Sequence, residues 1–206
     1  MSDDRELIFA RIRQALSALP QRTALPAFET ELLLSRHAKS PLPRIELFRQ
    51  RLERVNGRVF RDVAGLAEFL RERKALRGYV DPTLLGLVAP ALRSPFQLYT
   101  DYQRARVDDY DFGLTRAAGG IAETGSLVLN DAVTSRRLGA LTPWIHVALL
   151  YESELYLHLP EAVAALGDDP NVVFCTGPSK TADVEGILIE GVHGPGEQVA
   201  LLLPDR

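Results

Sequence analysis

Three short segments of this chain bring together residue types that can do chemistry. The first, Gly177-Pro-Ser-Lys-Thr-Ala-Asp-Val-Glu185, follows the apolar run Val172-Val-Phe-Cys-Thr176. The hydroxyls of Ser179 and Thr181 and the charge of Lys180 suit an anion. Lys180 is the only lysine after residue 74 in a chain that otherwise uses arginine. An apolar strand that breaks at Gly177-Pro178 and resumes with Ser-Lys-Thr predicts a strand–turn–helix junction. The first amides of such a helix lack partners within it and point at whatever sits at the strand's end. A plain helix start uses the same residues: Ser179 as cap, Lys180 in solvent, Asp183 and Glu185 complementing the dipole.

The second segment is Ala122-Glu-Thr-Gly-Ser126. Gly125 permits a tight turn with positive φ, which would cluster the Glu123 carboxylate with the hydroxyls of Thr124 and Ser126. Glu123 is then a candidate nucleophile or general base, or simply a turn residue facing water. The third is Gly191-Val-His-Gly-Pro-Gly196. His193 is a candidate general acid or base. Gly-Pro-Gly is equally good hairpin-turn chemistry between two apolar strands, with His193 bonded to its own loop. His146, after Thr142-Pro-Trp-Ile145, opens an apolar run, either orienting a substrate or satisfied at a strand end.

Elements must hold these segments in place. Residues 1–20 carry an amphipathic helical pattern, with Ile8, Ile12, Ala15, Leu16 and Leu19 on one face, Asp3 and Glu6 spaced as a capping box, and Pro20 as stop. Residues 20–43 are proline-containing and aperiodic, a linker or an arm laid over a partner surface. A second helix aligns Ile45, Phe48, Leu52 and Val55 and ends at Asn56-Gly57. Strand-like and helix-like stretches then alternate: Arg58–Phe60, a helix capped by Asp62, Gly78–Val80, a strand from Asp111, a turn-and-strand pair over Gly119–Leu129, His146–Tyr151, a helix from Pro160 to Gly167, Val172–Thr176, and Gln198–Leu203. Residues 84–110 show no clear period. The pattern predicts an α/β fold, an open mixed or parallel sheet with helices on both faces, behind an N-terminal helical extension. The division expected is residues 1–43 as helix and arm and 44–206 as one domain, with ligands outside the carboxyl ends of strands.

Composition bounds the function. With 46% hydrophobic and 25% charged residues, the chain reads as an ordinary globular protein. No apolar run reaches the length of a membrane span, and the charged start Met1-Ser-Asp-Asp-Arg-Glu6 is unlike a secretory signal, so a cytoplasmic location is expected. The lone Cys175 allows neither an internal disulfide nor a cysteine-ligated iron–sulfur cluster in this chain, and in an apolar strand it is expected to be inert. Through Arg77 there are sixteen basic and ten acidic residues, against eight and seventeen beyond it. The overall balance is acidic and the arginines fit solvated helix faces, so no nucleic-acid footprint is expected. There is no Gly-x-Gly-x-x-Gly after a strand, Walker loop, Gly-x-Ser-x-Gly elbow or His-x-x-x-His pair, and no metal site is expected from four dispersed histidines.

Taken in register, Ile121-Ala-Glu-Thr-Gly-Ser-Leu127, Gly177–Glu185 and Gly191-Val-His-Gly-Pro195 resemble the lactate utilization (LUD) domain family. The opening Leu7-Ile-Phe-Ala-Arg-Ile-Arg13 is also similar to the start of its lactate utilization protein C branch. The resemblance implies a cytoplasmic subunit that works with iron–sulfur partner proteins to oxidise L-lactate to pyruvate, the clusters being held by the partners. It also implies a fold like that of CoA transferases, ribose-5-phosphate isomerase and formyltetrahydrofolate cyclo-ligases. Ala-Glu-Thr-Gly is similar to the Ser-Glu-Asn-Gly turn bearing the CoA-transferase glutamate, which suggests Glu123. Two positions depart from the family pattern. Lys180 stands where arginine is expected, which removes a bidentate grip on carboxylate or phosphate, and Glu197 follows Gly196 where a basic residue is common. The expected role is an accessory or substrate-handling subunit. Glu123 and His193 are its catalytic candidates, and Thr124, Gly125, Ser126, Gly177, Ser179, Lys180 and Thr181 hold a small carboxylate or phosphate. The alternatives are a stand-alone transferase or ligase acting through Glu123 on a phosphorylated or acyl-CoA substrate, and a small-anion sensor.

Overall fold

The computed structural model describes residues 2–17, 40–167, 169–182 and 188–205. Most of the 20–43 arm, together with Asp183 and Glu185, lies outside the described residues. The chain divides into two compact units, residues 1–33 and 34–206. In the first, helix α1 (Ser2–Ser17) starts early enough that Asp3 falls within it rather than at its cap. Its Ile8, Ile12 and Leu16 are exposed, and Arg5 and Arg13 lie over the Phe9 ring.

The second unit is built on a six-stranded sheet, every neighbouring pair parallel. Its strands are β1 (Arg58–Phe60), β2 (Arg77–Val80), β3 (Gln97–Tyr99), β4 (Phe112–Arg116), β7 (Ile145–Tyr151) and β12 (Glu197–Leu203), in the order β1-β12-β7-β4-β2-β3. The central β7 and β12 are nearly continuous apolar runs, as burial on both faces demands. Helix α3 (Val63–Glu72) starts where Asp62 accepts the Gly65 amide at 2.7 Å, the expected cap. With the short α4 (Leu85–Val88) it covers one face, where Leu66, Leu70 and Val88 meet Val147, Leu149, Val199 and Leu201. The stretch without a clear period, 84–110, holds α4, β3 and 3-10 turns, all too short to show one.

The other face receives helix α2 (Arg44–Arg54), helix α5 (Arg137–Leu141) and a second, four-stranded sheet. Leu47, Phe48 and Leu52 of α2 pack with Ala148, Leu150, Ala200 and Leu202. Asn56 stops α2 with a φ of 68°. Helix α5 runs so close to the sheet that a Cβ at Gly113 would sit 1.7 Å from the Gly139 carbonyl oxygen, and a Cβ at Gly139 would fall 2.3 Å from the Tyr79 ring. The second sheet has the order β8-β5-β6-β9, from β5 (Gly119–Ile121), β6 (Ser126–Asn130), β8 (Leu155–Tyr156) and β9 (Val172–Cys175). Helix α6 (Leu159–Leu166), with Pro160 at its second residue, ends at Gly167 as expected.

Two expectations are overturned here. After Gly177 the chain forms a strand, not a helix: β10 (Lys180–Ala182) pairs antiparallel with β11 (Leu188–Glu190). Ser-Lys-Thr suits either state locally, and the pairing with Leu188–Glu190 decides for the strand. There is thus no helix dipole at the Gly177 turn. Nor does Gly191–Gly196 join paired strands, because β11 belongs to this small hairpin and β12 to the six-stranded sheet. The loop instead wraps Trp144: a Cβ at Gly191 or Gly196 would fall 2.4 or 2.3 Å from its ring.

Candidate functional site

The end of β9 meets the beginnings of β7 and β12 around a cavity of about 300 Å³. Its chemistry comes from His146, Cys175, Thr176, Ser179, His193 and Gln198, with the Gly177-Pro178 and Gly194-Pro195 turns closing it. His146 and Gln198 are the second residues of their strands. The cavity therefore lies at the amino ends of the central parallel strands, not at the carboxyl ends where an open sheet is expected to hold ligands. The reason is local: the second sheet delivers the end of β9 to this edge.

Turn geometry places the two loops. Gly177 has a φ of 80°, and a Cβ there would lie 2.4 Å from the Val55 carbonyl oxygen, so the backbone of α2's end abuts the turn. The Ser179 amide donates to the Pro195 carbonyl at 2.8 Å, and the Gly191 amide to the Ser179 carbonyl at 2.9 Å. These two bonds tie the Ser179 and His193 loops side by side.

Behind them sits a buried polar row. The Gln198 carboxamide meets His146 Nδ1, with its Nε2 at 2.9 Å and its Oε1 at 3.2 Å, and the imidazole Nε2 lies 2.9 Å from Thr115 Oγ1. His146 is fully buried, and burial pulls its pKa down to about 4, so it is neutral at physiological pH. Burial also pushes the Cys175 thiol up to about 11, which keeps it protonated, as expected of an inert cysteine.

The remaining sequence candidates lie elsewhere. Lys180 donates from Nζ to the Val55 carbonyl at 3.1 Å and stands 3.5 Å from Glu190, tying β10 to the end of α2. Neither it nor Thr181 lines the cavity. Gly125 has a φ of 70° at the β5–β6 turn, where a Cβ would strike the Leu52 amide nitrogen at 2.3 Å. Glu123 is buried with both oxygens engaged: Oε1 accepts the Leu159 amide at 2.8 Å and Oε2 lies 3.3 Å from His158 Nδ1. It thereby caps the start of α6, where His158 supplies no side-chain cap. Thr124 and Ser126 form a hydroxyl chain, 2.7 Å to each other and 2.7 Å from Ser126 on to Thr176, a residue of the cavity wall. The structure thus gathers Gly177, Ser179 and His193, reaches Ser126 through one hydroxyl, and keeps Glu123 and Lys180 apart from that wall.

Sequence reasoning missed Thr115, Thr176 and Gln198. Gln198 had one signal, a lone amide opening an otherwise apolar run. Its partner His146 is a register neighbour only because β7 and β12 pair. Among the described residues no group of three His, Cys, Asp or Glu is placed to hold a metal ion, and no helix is long and apolar enough to cross a membrane.

The LUD domain family matches residues 95–203, a span that contains all three motif segments. The chain is 39% identical over 102 residues to an uncharacterized protein of Neisseria meningitidis serogroup B, NMB1437, covering 47% of this chain and 44% of that one. Lactate utilization protein C of Deinococcus radiodurans is 31% identical over 118 residues, 53% of this chain and 56% of the relative. The same-named protein of Bacillus licheniformis is 29% identical over 109 residues, covering 49% and 45%. The chain spans about half the length of the curated relatives it matches. A crystal structure of a DUF162 family protein from Deinococcus radiodurans shares the fold, with a TM-score of 0.58 at 22% identity over 79% of this chain and 99% of that one.

Proposed function

The chain belongs to the LUD domain family, and from that premise we propose that it is a substrate-handling subunit of a lactate-utilization system, holding L-lactate or pyruvate in the cavity between Ser179 and His193. The observation that carries this reading is the convergence of two separate family-like segments, Gly177–Ser179 and His193–Pro195, on one cavity whose wall carries polar groups. Its volume of about 300 Å³ suits a small acid, at the low end of ligand pockets. His193 and the Ser179 hydroxyl supply donors for a carboxylate, and an imidazolium at His193 would add charge assistance. The neutral His146–Gln198 pair holds the floor, with the imidazole Nε2 engaged by Thr115 Oγ1.

Oxidation of L-lactate to pyruvate releases two electrons and two protons. In this reading the chain binds and orients the acid, His193 can take a proton, and iron–sulfur partner proteins take the electrons. The exposed Ile8, Ile12 and Leu16 of α1 suit the helix for docking such a partner.

Titration calorimetry with L-lactate, pyruvate and phosphate tests the binding step. Lactate or pyruvate should bind the wild type and lose at least about tenfold in affinity in His193→Ala, the worth of one charge-assisted bond. Equal affinity in the variant, or binding of phosphate alone, would count against it.

A further inference from the structure

A second cavity, of about 440 Å³, lies at a different place in the fold, lined by Tyr102, Arg104, Thr134, Ser135, Arg136 and Arg137 among others. Its position follows from the strand order. From β2 the chain moves outward through α4 to β3, whereas from β4 it moves the other way, to β7. Neighbouring β2 and β4 are therefore the point where connections depart in opposite directions. An open parallel sheet forms a crevice there, outside the carboxyl ends of its strands. The cavity is tied to both strands: Tyr79 of β2 shares a 2.8 Å hydroxyl contact with Ser135, and Thr134 donates at 2.9 Å to the carbonyl of Arg116, the last residue of β4. None of the three motif segments contributes to it.

The lining is strongly basic, three arginines against one aspartate. Arg137 is neutralised by Asp131 at 2.8 Å, and Asp131 is itself steadied by the Asn171 amide, also at 2.8 Å. Arg104 and Arg136 have no carboxylate in salt-bridge reach among the described residues. Both arginines are exposed on the cavity wall. A doubly charged anion balances both, and the planar guanidinium fork meets phosphate oxygens in pairs. Tyr102 gives the wall a fixed aromatic surface, since its ring stacks on Tyr110 at 5.1 Å and its hydroxyl is 2.8 Å from Thr142 Oγ1.

We propose that this switch-point cavity, gripping through Arg104 and Arg136, is a binding site for a small phosphate-bearing molecule, distinct from the cavity at Ser179 and His193. It does not depend on the lactate reading, because no residue lines both cavities.

The test is titration of pyrophosphate and of inorganic phosphate into the full-length protein at low ionic strength, where an arginine site is least screened. Variants are Arg104→Gln, Arg136→Gln, the double substitution, and Arg11→Gln in α1 as a control. Saturable pyrophosphate binding is expected in the wild type, weakened at least about tenfold by each single cavity substitution and lost in the double. Thermal unfolding should stay unchanged, because neither side chain holds a carboxylate partner. Absence of saturable binding of either probe, its persistence in the double variant, or an equal loss in Arg11→Gln would overturn the assignment.

Discussion

His146 and Gln198 are paired in register across the adjacent parallel strands β7 and β12, and the carboxamide Nε2 of one lies 2.9 Å from the imidazole Nδ1 of the other. The imidazole is fully buried, so its neutral form is part of the fold. In the unfolded chain it titrates near 6.5, in the folded one near 4. Between those values the unfolded state binds more protons, so folding stability is complete above about pH 6.5 and falls as pH drops toward 4. The loss should be on the order of 3 kcal/mol. Urea unfolding at pH 7 and pH 4 checks it, and in His146→Gln the imidazole's share of that pH dependence should vanish.

Glu123 serves the fold where its carboxylate receives the Leu159 amide. Glu123→Ala removes a helix cap and strands His158, so it should cost about 1–2 kcal/mol, lowering Tm by several degrees. Pyruvate affinity should stay within about twofold, since Glu123 does not line the Ser179–His193 cavity. Loss of binding with an unchanged Tm would restore it as a catalytic candidate.

Lys180 is spent on the Val55 carbonyl and Glu190. Lys180→Met should therefore cost no more than about 1 kcal/mol and leave pyruvate titrations unaltered.

Glycine substitutions should divide by position. At Gly125 and Gly177 the positive φ alone costs an alanine about 1–3 kcal/mol, and a Cβ would meet backbone at 2.3 and 2.4 Å. Gly125→Ala and Gly177→Ala should be severely destabilised. At Gly86, within α4, nothing lies within 4 Å of a Cβ. Gly86→Ala should be neutral or stabilise by up to about 1 kcal/mol, as chemical denaturation would show.

Much of the fold was legible because it rests on local signals. Asp62 marks the start of α3, Asn56 the end of α2, and the apolar runs of β7 and β12 could only be buried strands. The site was legible in part. Its loops at Ser179 and His193 stood out by composition, but the turn after Gly177 was misread because its state is decided by pairing with Leu188–Glu190. The floor was hidden for the same reason: Gln198 lies 52 residues from His146, and only strand order makes them neighbours. The arginine cavity left no motif, because Arg104 and Arg136 come together through the chain's reversal at β2 and β4.

The most direct measurement is a crystal structure of the protein grown with pyruvate. Density for pyruvate against Ser179 and His193, above the His146–Gln198 pair, is the expected result. Pyruvate bound elsewhere, or an empty cavity at saturating concentration, would contradict the assignment of this site.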